Sequence, residues 1–166
     1  MEEVVGRLLR ERKLTLALAE SCTGGLVGHR VTNVPGSSAY FLGGAETYGN
    51  RAKMEVLGVQ RETLAAHGAV SEETAGVMAA GARRVFHSDI AVGITGIAGP
   101  DGGTPERPVG TVCFGLASAD GVVTRRYQLW GTRDWVKLLA SQVALDWVRR
   151  HVLGLPVTES RLFRAK

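Results

Sequence analysis

Cysteine is nearly absent from this chain of 166 residues: Cys22 and Cys113 are the only two. Two are too few for a disulfide framework and point to a reducing, cytoplasmic setting. Long apolar runs are missing as well. A membrane-spanning helix needs ~18 consecutive apolar residues, and the best candidate, Leu14 to Ala19, falls far short. No secretory leader is expected either, because Met1-Glu2-Glu3 opens the chain and Arg10-Glu11-Arg12-Lys13 stands before that short run. The net charge is only +4, with no block of like charges, so a nucleic-acid arm is not expected. An apolar content of 45% excludes intrinsic disorder, and the lack of a glycine repeat excludes collagen. His29, His67, His87 and His151 pair with no Cys, Asp or Glu at ligand spacing. Neither a metal nor another cofactor is expected.

Glycine, by contrast, is abundant. There are 22, against a usual share of ~7%, gathered at Gly24-Gly25, Gly43-Gly44, Gly93 to Gly103 and Gly110 to Gly121. Each interior glycine costs a helix or strand roughly 0.5–1 kcal/mol. Such clusters mark places where the backbone turns sharply or something approaches it closely.

The length suits one domain, expected over 1–154, with 155–166 as a frayed tail. Val4, Val5, Leu8 and Leu9 recur at helical spacing. Leu14 to Ala19 reads as a buried strand, followed by a helix over Leu26 to Val31. A turn at Pro35-Gly36-Ser37-Ser38 precedes a second strand, Ala39 to Tyr48, interrupted at Gly43-Gly44. Asn50 is expected to cap a short helix that Gly58 ends, and Gln60 to His67 forms another. Ser71, with Glu72 and Glu73 behind it, starts a helix to Phe86. A strand over Ile90 to Ile94 leads into a glycine-rich loop from Thr95 to Pro108. Val109 to Ala117 and Val122 to Leu129 flank Asp120-Gly121 as a hairpin. Thr132 caps the last helix, with Val136, Leu139, Val143 and Trp147 on one face. Alternating strands and helices argue for a three-layer α/β/α sandwich with a mixed, mostly parallel sheet of about five strands and one antiparallel hairpin. Both conspicuous glycine loops then fall at strand C-termini, where such sheets bind ligands.

Ala19-Glu20-Ser21-Cys22-Thr23-Gly24-Gly25 delivers three nucleophilic side chains to a tight turn before a helix. That suits a nucleophile with an oxyanion hole, an anion cradle, or simply a helix cap. If the strand continues, Ser21 and Cys22 face opposite ways, and only one of them meets a pocket. Cys113 lies mid-strand and belongs to the core. The loop around Gly96-Ile97-Ala98-Gly99-Pro100-Asp101-Gly102-Gly103 carries neither a phosphate-loop nor a dinucleotide signature. It is either a surface connector or a binding loop. Lys53 is a solvated charge, or a general base if burial lowers its pKa. Arg133, a cation at a helix start, is a surface residue or an anion clamp.

Four segments in order, Ala19 to Gly25, Tyr48-Gly49-Asn50-Arg51-Ala52-Lys53, His67 to Ser71, and Gly96 to Gly103 with Pro108-Val109-Gly110-Thr111-Val112 following, resemble the CinA C-terminal domain family. The likeness runs from about Val4 to Arg150. It implies a three-layer α/β fold and hydrolysis of nicotinamide mononucleotide to nicotinate mononucleotide and ammonia, in pyridine nucleotide salvage, without metal or cofactor. By the same resemblance Ser21 is the nucleophile and Lys53 the base. Thr23, Gly24, Gly25, Tyr48, Asn50, Thr95, Gly96, Ala98, Gly99 and Arg133 line the substrate site. Gly49 departs from the family, standing where Ser is common. The resemblance further implies a homo-oligomer, with nicotinamide mononucleotide as the small-molecule partner and neither nucleic acid nor membrane. Many family members carry an N-terminal domain with a pyrophosphatase-type activity, which this chain is not expected to include. The alternative is a non-catalytic nucleotide-binding or regulatory domain linked to competence or DNA damage.

Overall fold

The computed structural model describes residues 1–159. In chain order the elements are α1 (Glu2–Arg12), β1 (Leu16–Glu20), α2 (Leu26–Thr32), a single 3-10 turn (Ser37–Ala39), β2 (Phe41–Glu46), α3 (Asn50–Leu57), α4 (Arg61–His67), α5 (Glu72–Phe86), β3 (Ile90–Gly96), β4 (Thr111–Ser118), β5 (Gly121–Gln128) and α6 (Arg133–Val152). The sheet order is β2-β1-β3-β4-β5. β1 is parallel to β2 and β3, while β4 is antiparallel to both neighbours. Four strands therefore share one direction and only β4 is reversed. Helices α1, α2 and α6 pack together on one face, and α3, α4 and α5 on the other. The expected three-layer sandwich is what forms.

Alternation along the central strands explains the two faces. Leu16 and Leu18 of β1, Ile90, Val92 and Ile94 of β3, and Val112, Phe114 and Leu116 of β4 point into the large core beneath α1, α2 and α6. The intervening residues are small: Ala17, Ala19, Ala91, Gly93, Cys113, Gly115 and Ala117. Against these lies α5, itself rich in Ala and Gly, with Ala75, Gly76, Met78, Ala79, Gly81 and Ala82 buried. Gly93 and Gly115 are register partners on β3 and β4. A Cβ on either would lie 2.4 or 2.5 Å from the Ala75 carbonyl oxygen, so backbone packs on backbone there. Much of the glycine excess serves close helix-to-sheet approach and has no part in binding.

Several boundaries differ from the periodicity reading. Gly43 and Gly44 lie within β2, where the register with β1 shifts near Leu16 and Ala17. Asn50 is the first residue of α3, and the cap position belongs to Gly49. Thr95 and Gly96 complete β3, paired with Cys113 and Val112, so the long loop starts two residues later than expected. Ser71 does cap α5, its hydroxyl accepting from the Thr74 amide at 3.1 Å. On α6, Val136, Val143 and Trp147 are fully buried as the helical face requires. The first part of the expected tail is tied down, since the Thr158 carbonyl accepts from the Tyr127 hydroxyl and Val157 packs on the core. The remainder, 160–166, lies outside the described residues. No described helix is long and apolar enough to cross a membrane.

Gly93→Ala is expected to cost about 1–3 kcal/mol by overpacking, lowering the midpoint of thermal unfolding by several degrees. Gly49→Ser, where nothing lies within 4 Å of the added Cβ, gains an N-cap acceptor and leaves that midpoint unchanged or slightly raised. Circular dichroism melts of the two variants check this. Equal destabilisation by both would contradict it.

Candidate active site at the end of the first strand

From β1 the chain passes outward to β2 through α2 on one face, then back across β1 to β3 through α3, α4 and α5 on the other. The C-terminal end of β1 is thus where helices diverge to opposite faces, the usual crevice of an open α/β sheet. The strand's alternation continues through this end. Glu20 turns to the α2 side and is buried, its carboxylate accepting from the amides of Val27 at 3.1 Å and Gly28 at 2.8 Å. Ser21 turns to the α3 side, with its amide still bonded to the Ile94 carbonyl at 3.0 Å. Cys22 returns to the large core.

Glu20 settles two readings of this turn. The leading amides of α2 are already occupied by a buried carboxylate, so that helix start neither cradles an anion nor takes Ser21 or Thr23 as its cap. What remains uncommitted is the turn itself. Among the described residues the amide of Thr23 has no acceptor and that of Cys22 meets only its own sulfur, and Gly24 closes the turn by donating to the Ser21 carbonyl at 3.0 Å. Gly24 and Gly25 both have positive φ, 59° and 83°, which an L side chain rarely adopts.

Facing Ser21 is Lys53, from the first full turn of α3. Its side chain is 1% exposed. Nζ donates to the backbone carbonyls of Thr47 at 2.6 Å and Tyr48 at 3.1 Å, and lies 3.1 Å from Ser21 Oγ. Among the described residues no carboxylate reaches this amine. Burial disfavours the ammonium and pushes its pKa below the ordinary lysine value of 10.5. A neutral amine has two N–H donors and one lone pair. As the ammonium, Lys53 donates all three N–H groups, to the two carbonyls and to Ser21 Oγ; once neutral, with both donors on the carbonyls, its lone pair would face the Ser21 hydroxyl proton. A hydroxyl within hydrogen-bond reach of a buried amine is the arrangement that nucleophilic catalysis uses.

Cys22 cannot compete for that role. Desolvation raises its thiol to about 12, with Glu20 adding to the effect, so the thiolate is absent at neutral pH. Cys113 is likewise buried, and its thiol is also pushed up to about 12.

Around this pair the predicted residues divide. Tyr48, largely exposed, offers its hydroxyl to Arg133 Nη2 at 2.9 Å, and the same guanidinium donates through Nη1 to the Gly99 carbonyl at 2.7 Å. Arg133 thus ties the β2–α3 connection to the glycine-rich loop, where Gly99 has φ 85°. Thr23 is fully buried, and its hydroxyl, like that of Thr47, has no hydrogen-bond partner among the described residues. Thr95 is directed away, donating to the Ala69 carbonyl at 2.8 Å. Gly96 packs against Thr111, where a Cβ would meet the carbonyl at 2.7 Å. Ala98 belongs to the large core, and Asn50 is exposed, its side chain making no hydrogen bond among the described residues. Among the described residues no group of three or more His, Cys, Asp or Glu is placed to hold a metal ion.

Three participants escaped the sequence reading: the Thr47 carbonyl, Glu20 and Lys137. A backbone carbonyl leaves no compositional trace. Glu20 had a readable signal, since a strand-end acid facing a following helix can fill its amides. Lys137 had one too, four residues after Arg133 on α6. A Cβ at Gly24 would lie 3.8 Å from Lys137 Nζ, so this ammonium stands over the Ser21 turn.

Buried, protonated thiols make a simple prediction. In the native chain at pH 8 neither cysteine should react with a thiol-specific disulfide reagent within minutes, and both should react after denaturation. Rapid native labelling of Cys22, read by mass spectrometry, would contradict the placement of that residue in the core.

The geometry can be set beside known proteins. The family profile described as the CinA C-terminal domain matches residues 1–152. A CinA-like protein of Geotalea uraniireducens (strain Rf4) is 52% identical over 159 residues, 96% of this chain and 38% of that protein. The chain therefore spans less than two fifths of the length of the curated relatives it matches. The crystal structure of competence/damage inducible protein CihA from Agrobacterium tumefaciens superposes with a TM-score of 0.83 at 40% identity, covering 87% of this chain and 90% of that one. The competence damage-inducible protein A (ComA) from Klebsiella pneumoniae subsp. pneumoniae MGH 78578 gives 0.88 at 34% identity, covering 92% and 94%. Sequence and fold agree along nearly the whole chain, and the chain belongs to the CinA C-terminal domain family.

Proposed function

We propose that this domain is an amidohydrolase that converts nicotinamide mononucleotide to nicotinate mononucleotide and ammonia. The observation that carries the reading is the Lys53 amine, buried without a carboxylate partner and 3.1 Å from Ser21 Oγ. A surface lysine would be solvated, and a structural buried lysine would pair with an acid. An amine whose charged form is disfavoured by burial, set against a hydroxyl, is suited to taking its proton.

In this scheme Ser21 Oγ attacks the carboxamide carbon as its proton passes to Lys53 Nζ. The oxyanion is received by the amides of Cys22 and Thr23, each donor contributing about 3 kcal/mol to the transition state. Collapse of the tetrahedral intermediate expels ammonia, with Lys53 returning the proton to nitrogen. Water, deprotonated by the same amine, then hydrolyses the Ser21 ester and releases the carboxylate. Each step is a proton or acyl transfer among these groups, so no metal or cofactor enters. We further propose, on the resemblance, that the domain works in the cytoplasm as a homo-oligomer with this small molecule as its partner.

Only the neutral amine can act as base, so activity is expected to rise with pH through one ionisation below that of free lysine. Ser21→Ala should lower ammonia release by roughly a thousandfold or more, while Cys22→Ala retains most of it. Lys53→Arg should be nearly inactive, since a guanidinium stays charged. Chelators should leave the rate unchanged. Ammonia release from the mononucleotide, followed by a coupled assay in the wild type and these variants, checks all four. Release no greater than in Ser21→Ala, with binding intact, would instead support a non-catalytic nucleotide-binding or regulatory domain. Substantial turnover by Lys53→Arg would make the lysine an electrostatic anchor only.

A further inference from the structure

The C-terminal end of α5 lies at the opposite end of the sheet from the Ser21 turn, because α5 leads into β3 and β3 runs parallel to β1. Between that helix end and the β4–β5 hairpin opens a cavity of about 680 Å³. Arg83, Arg84, His87 and Ser88 line it from the end of α5 and the turn that follows, and Ala117 and Val122 from the hairpin. Neither arginine has a carboxylate partner among the described residues. Arg83 commits only Nε, to the Asp89 carbonyl at 3.1 Å, and Arg84 only Nη2, to the Leu57 carbonyl at 3.0 Å. The acid that lines the cavity, Asp89, is occupied by Thr15, whose amide and hydroxyl donate to its carboxylate at 2.8 and 2.7 Å.

The helix dipole favours cations at the end of α5, which accounts for the arginines but not for Ser88. That side chain is 5% exposed, and its hydroxyl has no hydrogen-bond partner among the described residues. A buried hydroxyl left unpaired destabilises the fold, and this one belongs to the wall of a cavity whose guanidinium donors are also largely uncommitted. A hydroxyl and two guanidinium forks make a donor set for an oxyanion. A carboxylate would bring one charge to two cations, whereas a phosphomonoester carries ~−1.5 to −2 at neutral pH and has three accepting oxygens. The cavity is far larger than a bare phosphate ion, and Ala117 and Val122 give its far wall an apolar surface for a carbon body.

We propose that this cavity is a second binding site, which takes a small organic phosphomonoester with its phosphate on Arg83, Arg84 and Ser88. It is separate from the Ser21 crevice and independent of the reaction proposed there. Arg84 connects the two ends of the molecule. Its bond to Leu57 closes the last turn of α3, the helix that bears Lys53 near its start. A ligand that engages Arg84 is therefore an effector felt along α3, not a substrate.

Amide chemical-shift mapping on the nitrogen-15-labelled full chain, at constant ionic strength, decides it. Ribose 5-phosphate, inorganic phosphate and ribose serve as probes. Ribose 5-phosphate should shift the amides of Arg83 to Asp89 and Ser118 to Val122 saturably, and that of Gly58 after α3 with them. Inorganic phosphate should shift the same set more weakly, and ribose should shift none. Replacing both arginines by Arg83→Gln and Arg84→Gln should weaken binding about tenfold or more, while the remaining amides stay in place as evidence of an intact fold. Ser88→Ala should weaken it less, and Arg83→Lys with Arg84→Lys should recover part of the affinity. Arg84→Gln alone should abolish the ligand-induced shift at Gly58. Shifts confined to the Ser21 turn and the start of α6, or undiminished binding by the double glutamine variant, would overturn the proposal. So would shifts that grow without saturating, the mark of an adventitious ion only, and equal affinity for inorganic phosphate would overturn the assignment of an organic ligand.

Discussion

An amine kept out of water between two backbone carbonyls and a serine hydroxyl is the constraint on which this end of the molecule depends. Removing a lysine from water is costly unless its charge is paired or given up. Here no acid is supplied, so burial favours the uncharged form. The carbonyls of Thr47 and Tyr48 take the donors, which requires the chain after β2 to present both oxygens inward just before α3 begins. It also requires Ser21 to stand on the opposite face of β1 from Glu20 and Cys22. Strand alternation provides that without any special loop.

The same face of the sheet is lined with small residues. Alanines and glycines on β1, β3 and β4 let α5 lie close, and α3 is held beside it where a Cβ on Gly81 would meet the Leu57 carbonyl at 2.2 Å. Bulk at these positions would push α3 outward and, with it, the Lys53 amine away from Ser21. The glycines at 93, 115 and 81 and the Lys53–Ser21 geometry are therefore linked, although none of the three touches the site. Glycines of the other kind, Gly24, Gly25 and Gly99, lie at the site itself and are required by positive φ.

Much of the fold was legible because its signals are local. Helix periodicity, the Ser71 cap, the Asp120-Gly121 turn and the Gly58 terminator each act over a few residues, and each element appeared where expected. Strand alternation alone separates Ser21 from Cys22. What was not legible depended on partners distant in sequence. Thr95 is four residues from Gly99, yet strand pairing with Cys113 keeps it in β3 and its hydroxyl on Ala69. Glycine content marked Gly96 as part of a loop, whereas pairing with Val112 and packing against Thr111 place it in β3. Arg133 was noticed for its odd place against the helix dipole. Lys137 looked like any helix lysine, and only the path of the Ser21 turn beneath it distinguishes the two.

The central claim is that Lys53 is neutral at a pH where free lysine is charged. The chain has only four lysines, at positions 13, 53, 137 and 166, so carbon-13 labelling at lysine Cε gives a spectrum simple enough to assign. Following those resonances with pH by NMR reads each amine directly, without substrate or turnover. The account predicts that one resonance, absent from Lys53→Arg, titrates clearly below the ordinary lysine value of 10.5. A Lys53 resonance that titrates at or above that value would contradict it.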